Sequence, residues 1–286
     1  MPAALVIARL TLREALRRRL LLALLILTLI MVAVTGWGFS RLWTITVNGQ
    51  PPGATLVRTT TSQLMIVVAF MFTTVLGLSA TVVASPSISG DMEGGLALSV
   101  LARPVRRADL LLGKWLGFVA MVVAYTAGAA ALEMLVVDWV TGYVPPHPLE
   151  FCVFLSAVGV SLVTLSLALS TRLSGLVGGV IALVAFFMSW MSGIVGSIGL
   201  ALHSQPLIQA GAIFRLVIPA DGLWRGAIWS LEPAVVIAAV RGAGVGAAAN
   251  PFFAGDPPPA PYLAWCVVWV AGLLALALWS FSRREV

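Results

Sequence analysis

The chain has 286 residues, of which 60% are apolar and only 10% charged, with a formal net charge of +6. A soluble domain carries about 25% charged residues, so a surface this apolar cannot hold a hydration shell and lipid is the expected solvent. The basic excess does not indicate nucleic acid, because the arginines gather beside apolar stretches, the pattern left by membrane orientation.

The chain opens with a basic segment, 1–19. Leu5, Ala8, Leu12, Ala15 and Leu16 recur at helical spacing, while Arg9, Arg13 and Arg17 fall at i, i+4 and i+8 on another face. That pattern predicts an amphipathic helix lying in the interface, its arginines near anionic headgroups of membrane lipid. The first apolar stretch after it is too long for the core of a signal peptide and lacks a small-residue cleavage site, so a retained span is expected.

A helix needs roughly 20 apolar residues to cross ~30 Å of hydrocarbon. Six stretches qualify: 20–39, 63–84, 115–137, 151–169, 176–200 and 262–281. They are too long and too uniformly apolar for barrel strands, and lipid admits only helices or closed barrels. The expected fold class is therefore all-α, a polytopic membrane protein with six transmembrane helices in one domain. Orientation follows from Lys and Arg. With the N-terminus in the cytoplasm, twelve of the seventeen basic residues fall inside: Arg9, Arg13, Arg17, Arg18, Arg19, Arg103, Arg106, Arg107, Lys114, Arg172, Arg283 and Arg284. Both termini are then cytoplasmic.

The connection 203–261 contains the apolar pieces Leu207–Pro219 and Pro233–Ala249, each too short to span. A seventh crossing would also put the terminal Ser-Arg-Arg-Glu outside, against the charge rule. Re-entrant or interfacial helices on the outer face are expected, and the sequence leaves that choice open. Within them Asp221 and Arg225 pair at i, i+4, and Trp224 and Trp229 are expected as interface anchors.

The loop 85–114 reads SPSISGDMEGGLALSVLARPVRRADLLLGK. Asp91 and Glu93 precede the apolar series Leu96, Leu98, Val100 and Leu101. Acids favour the positive end of a helix dipole, which predicts a short helix from about Asp91 to Ala102. Pro104 stops it, and a second helix starts near Ala108. Such a helix–break–helix element is a rigid protrusion on which a soluble partner can push.

This loop resembles that of the ABC-2 type transporter permeases, and the branch linked with multicopper-enzyme maturation in particular. Asp91 and Glu93 match the family's acidic pair and Gly95 its glycine. Arg103, Pro104 and Val105 match the central motif, and Gly113 with Lys114 closes it. Leu96, Gly94 and Arg106 depart from the usual residues, Arg106 standing where a serine would complete a capping box. The resemblance covers essentially the whole chain. It implies the permease half of an ATP-driven exporter in the inner membrane, in which 85–114 carries a coupling helix that docks on a separate ATPase subunit. It also implies a second copy of the permease across a dimer interface. Asp91, Glu93, Gly95, Arg103 and Pro104 would carry the ATPase coupling. No GxxxxGK[ST] run occurs, so this chain is not expected to be an enzyme; ATP and magnesium belong on the partner, and no cofactor is expected here.

Small residues line spans two and five. Thr73, Gly77 and Thr81 share one face, as do Ser189, Gly193 and Ser197 at four-residue spacing. Such stripes let helices approach closely, and they suit a substrate cleft, a dimer interface or packing within one subunit. Glu133, about one turn inside the outer end of span three, is a functional candidate because an ionised carboxylate in hydrocarbon is costly. Cys152 and Cys266 fall in the same outer leaflet and are expected as buried thiols rather than a disulfide. Two other classes compete. An intramembrane enzyme would need paired acids, a Ser/His arrangement or metal ligands within the spans, and His147 and His203 lie in outer connections. An ion-coupled secondary transporter without an ATPase would need several buried charges and inverted repeats.

Overall fold

The structure, a computed structural model, describes residues 3–17, 19–46, 49–93 and 106–283. The described residues are helical almost throughout, with no strand among them. The elements are α1 (Ala3–Arg17), α2 (Arg19–Ser40) with a short 3-10 turn Arg41–Thr44, α3 (Ala54–Ala84), α4 (Pro86–Glu93), α5 (Arg107–Thr141), α6 (Pro148–Ser170) and α7 (Gly175–Ala201). They continue with α8 (Gln205–Val217), α9 (Ala220–Leu231), α10 (Ala234–Gly242), α11 (Val245–Ala248) and α12 (Ala260–Ser282). Six are long and apolar enough to cross a bilayer: α2, α3, α5, α6, α7 and α12.

Helix α6 is the axle of the bundle, packed against α3, α5, α7, α9 and α12. Its Leu155, Val158, Leu162, Val163 and Leu167 are buried, while α2 and α12 turn most of their surface outward. That distribution suits lipid: Leu22, Leu29, Val267 and Leu276 are large, apolar and exposed. Prolines start several helices at positions where no N–H is needed: Pro148, Pro206 and Pro261. Helix α5 stops at Gly142, whose φ of 65° is the left-handed cap conformation and whose N–H bonds to Asp138 O at 2.8 Å.

One end of the bundle is basic. There Arg107 donates to the Phe281 and Ser282 carbonyls, and Arg172 to the Ser280 hydroxyl and carbonyl at 2.8 and 3.2 Å. These guanidiniums satisfy the orphan carbonyls and the negative dipole end of α12. At 35 residues α5 is about 52 Å long, well beyond the hydrocarbon thickness. Its overhang at the basic end carries α1. A Cβ at Gly113 would lie 2.6 Å from Ile7 Cβ, and one at Gly117 2.9 Å from the Ala8 carbonyl. The two helices thus touch backbone to backbone through a Gly-x-x-x-Gly stripe. Ala15 and Thr11 of α1 are buried and Leu5, Leu10 and Leu16 exposed. The helix therefore presents one small-residue face to α5 and a leucine face outward.

Most of the helix expected from about Asp91 to Ala102 lies outside the described residues. Ahead of it stands helix α4, which starts at Pro86, because the chain breaks at Ser85 and proline sits well in a first turn. Asp91 and Glu93 therefore lie late in α4 rather than at its start. Helix α3 likewise begins at Ala54, nine residues before the apolar run at 63, its first turns including Arg58.

At the opposite end, 205–231 forms a re-entrant hairpin. Helix α8 runs back along α7 at the closest distances glycines permit. A Cβ at Gly199 would lie 2.7 Å from Ile208 N, and one at Gly211 2.8 Å from Gly196 Cα. The turn is reached where Ser189 Oγ donates to Ile218 O at 2.8 Å. Ser189 is about 18 Å along α7 from Ala201, so α8 follows α7 back for about that length. After a bend of 99° α9 returns to the same end, where His147 N–H donates to Ser230 O. Trp265 and Trp269 of α12 donate their indole N–H groups to the last carbonyls of α8, Leu216 and Val217, satisfying that helix end.

Candidate functional site

The hairpin tip holds a buried charge cluster. The Asp221 carboxylate is only 4% exposed and receives Arg215 Nε at 2.9 Å and Arg225 Nε at 3.4 Å. Its backbone N–H donates to Ser189 Oγ at 2.9 Å, and Arg225 donates to Gly193 O at 3.3 Å and Ser197 Oγ at 3.0 Å. Gly193 lacks a side chain because a Cβ there would collide with the Asp221 carboxylate. The stripe Ser189, Gly193, Ser197 is therefore the seat of this chain's own hairpin. A buried carboxylate needs both paired charge and hydrogen bonds: Arg215 Nε supplies a hydrogen bond to Asp221, while this face of α7 holds the Asp221 backbone and the Arg225 guanidinium. The i, i+4 pair of Asp221 and Arg225 is present. Arg215 is the member that periodicity missed, since it reaches Asp221 across the Pro219 break. Trp224 is no interface anchor: it is buried in the core beside Phe70, while Trp229 stacks on His147 with ring centroids 4.2 Å apart.

Beside the end of α9 lies a second buried acid. Glu232, 2% exposed, accepts from Gln63 Nε2 at 2.9 Å through Oε2, while Oε1 has no hydrogen-bond partner. Burial pushes its carboxyl up to about 7. Tyr143 hydrogen-bonds the adjacent Leu231 carbonyl, and its hydroxyl is raised by burial and then by the Glu232 charge. In the sequence Glu232 looks like any acid ending an exposed helix, and no local signal marks it.

Glu133 lies about 12 Å inside the end of α5 at Thr141, with one carboxyl oxygen buried and unpartnered and Thr35 beside it. It borders a small cavity of about 20 Å³ lined by Met31, Met65, Phe72, Phe151 and Leu155, room for roughly one water. Thr73 and Thr81 return their hydroxyls to their own helix, at Ala69 O (2.7 Å) and Leu78 O (2.9 Å). Gly77 admits Phe186 of α7 and Leu162 of α6, each about 3.2 Å from where a Cβ would stand. That face of α3 is thus an internal packing surface. Cys152 and Cys266 are free thiols, half-buried and buried.

At the basic end Asp91 and Glu93 fall in α4, whereas Gly95, Arg103 and Pro104 lie outside the described residues. What holds α4 in place is on either side of it. Ser85 bonds the Gly175 carbonyl at the start of α7, and a Cβ at Gly175 would lie 2.9 Å from Pro86 Cα. The buried Lys114 ammonium donates to the Ser87 carbonyl in the first turn of α4. Gly113 and Lys114, adjacent on α5, thereby join α1 and α4 to the same helix.

Residues 5–286 match the family described as ABC-2 family transporter protein. The chain is also 29% identical, over 308 aligned positions covering all of both chains, to the probable ABC transporter permease protein NosY of Pseudomonas aeruginosa. This chain belongs to the ABC-2 transporter family.

Proposed function

We propose that the chain is the permease subunit of an ATP-driven exporter, acting as two copies with two separate ATPase subunits that bind ATP and magnesium. Family membership supports the permease role, and the Pseudomonas aeruginosa relative, matched over its full length, is named a probable ABC transporter permease protein. The observation that carries the coupling mechanism is the junction at Gly113 and Lys114. A push on α4 is passed by Lys114 to α5 and by the Ser85–Gly175 contact to α7, both of which cross the membrane. Helix α1, wedged on the α5 overhang, moves with them. In this reading the basic end is cytoplasmic, in keeping with Arg107, Arg172 and Arg283, and the hairpin lies on the outer face of the inner membrane.

Replacing Asp91 and Glu93 together by alanine is expected to dissociate or uncouple the ATPase while the permease still inserts. Co-purification of the ATPase and substrate-stimulated ATP hydrolysis measure it; both unchanged would refute the coupling role. A second reading, ion-coupled transport without an ATPase, draws on the unpartnered carboxyl oxygens of Glu133 and Glu232. A nucleotide-binding subunit in the isolated complex separates the two.

A further inference from the structure

Between the hairpin, the start of α12 and the segment 253–259 lies a cavity of about 460 Å³. Its charged lining is Arg215, Arg225, Arg241 and Asp256, and its walls are Phe253, Tyr262 and the run Pro257-Pro258-Pro259. We propose that this cavity binds an oxyanion, either the phosphate of an anionic lipid headgroup or a free anion of the same chemistry.

The first argument is charge. Three guanidiniums face the cavity and only two carboxylates lie in or beside it. Asp256 takes Arg241 at 2.7 Å, and the single Asp221 is shared between Arg215 and Arg225. Neutralising Asp221 needs one arginine, so the second is surplus to the hairpin's stability. A surplus cation held against protein and lipid attracts an anion far more strongly than one in water.

The second argument is free donors. Arg215 uses its Nε on Asp221, and its terminal nitrogens make no hydrogen bond among the described residues. Arg225 holds its Nε 3.4 Å from Asp221 and gives one terminal nitrogen to Gly193 and Ser197, so its other terminal nitrogen makes no hydrogen bond among the described residues. Planar guanidinium forks match the paired oxygens of phosphate, sulfate and carboxylate, and they give up hydration more readily than an ammonium. The other polar group, the Tyr262 hydroxyl, is committed to Pro219 O at 2.9 Å.

The third argument is access and shape. Arg241 and Asp256 are 56% and 80% exposed, so their pair stands at the mouth, where an entering anion competes with Asp256 for Arg241. The volume falls within the range of small-molecule sites, and proline walls hold it open without side-chain ordering. The site needs neither an ATPase nor a direction of transport, so a binding assay tests it apart from the exporter reading.

The test uses the purified full-length chain. Its unfolding midpoint is followed against sodium sulfate and inorganic phosphate, with chloride at matched ionic strength as control. The same measurement is made in nanodiscs of phosphatidylglycerol against phosphatidylcholine. Stabilisation by sulfate or phosphate identifies a free oxyanion; stabilisation by phosphatidylglycerol alone identifies a headgroup. Arg241→Gln is expected to weaken the response about tenfold, the loss of one charge-assisted hydrogen bond, and Asp256→Asn to strengthen it. Both residues are exposed, so these variants fold even where Arg215→Gln does not. No response from the unmodified chain, or the same response from Arg241→Gln and Asp256→Asn, would overturn the assignment.

Discussion

The two ends of the bundle use arginine and lysine in opposite ways. At the basic end Arg107, Arg172 and Lys114 donate to backbone carbonyls, tying helix ends together. At the hairpin end Arg215 and Arg225 close on Asp221, a side chain that is almost fully buried. A carbonyl carries only a partial charge, so the first kind of contact yields gradually when an arginine shifts. The second kind holds full charges away from water, and losing one leaves the others uncompensated. The difference suits a molecule pushed at one end while the other keeps its shape.

The largest expected effect tests the hairpin half of that contrast. Asp221→Ala leaves two guanidiniums facing each other over Gly193, and a loss of about 3–5 kcal/mol is expected, as for other broken buried ion pairs. Thermal inactivation of the purified chain measures it. A midpoint within a degree or two of the parent would mean that the cluster is not what pins the hairpin.

The next effect is a pH dependence confined to the same end. The Glu232 carboxyl is raised from 4.5 to about 7 because burial disfavours its charge. A raised folded-state value means that the folded state binds the proton more tightly than the unfolded one. Its stabilising contribution is complete below pH 4.5 and is lost as pH rises through about 7, up to about 3 kcal/mol in all. Stability between pH 5 and 8 should therefore fall with pH, and Glu232→Gln, which keeps a partner for Gln63, should flatten the slope. An unchanged slope in that variant would place the titrating group elsewhere.

The smallest effect belongs to the basic end. Gly113→Val forces α1 off α5, since even a single carbon there lies 2.6 Å from Ile7 Cβ, and overpacking of this kind costs about 1–3 kcal/mol. Transport should suffer more than stability, because α1 and α4 share α5 as their support. Comparing ATP-driven transport with the thermal midpoint in the same preparation decides it. Equal losses in both would make the contact merely structural.

Much of this architecture was legible from residue types alone. The six crossings follow from runs of about twenty apolar residues, and the Asp221–Arg225 pair from helical spacing. The stripes at 73–81 and 189–197 were visible as surfaces of close approach, but what approaches them was not. Phe186 and Leu162 fill one, and the chain's own Asp221 and Arg225 fill the other. Arg215 and Gln63 were invisible as partners because each meets its acid across a break or from another helix. Helix α4 was not visible as a separate element, because its start is decided by the break at Ser85 and Pro86 and not by an apolar run.

Sequence by itself determined the solvent, the crossing helices and the basic asymmetry, since each is a property of a local run of residues against water and lipid. It also carried the family resemblance, through the loop 85–114. Only the tertiary structure decided that 205–231 dives into the bundle, that Asp221 serves two arginines and that Glu232 is buried. The reason is common to all three. Burying a charge depends on groups distant in the chain arriving together, and no local pattern records their meeting.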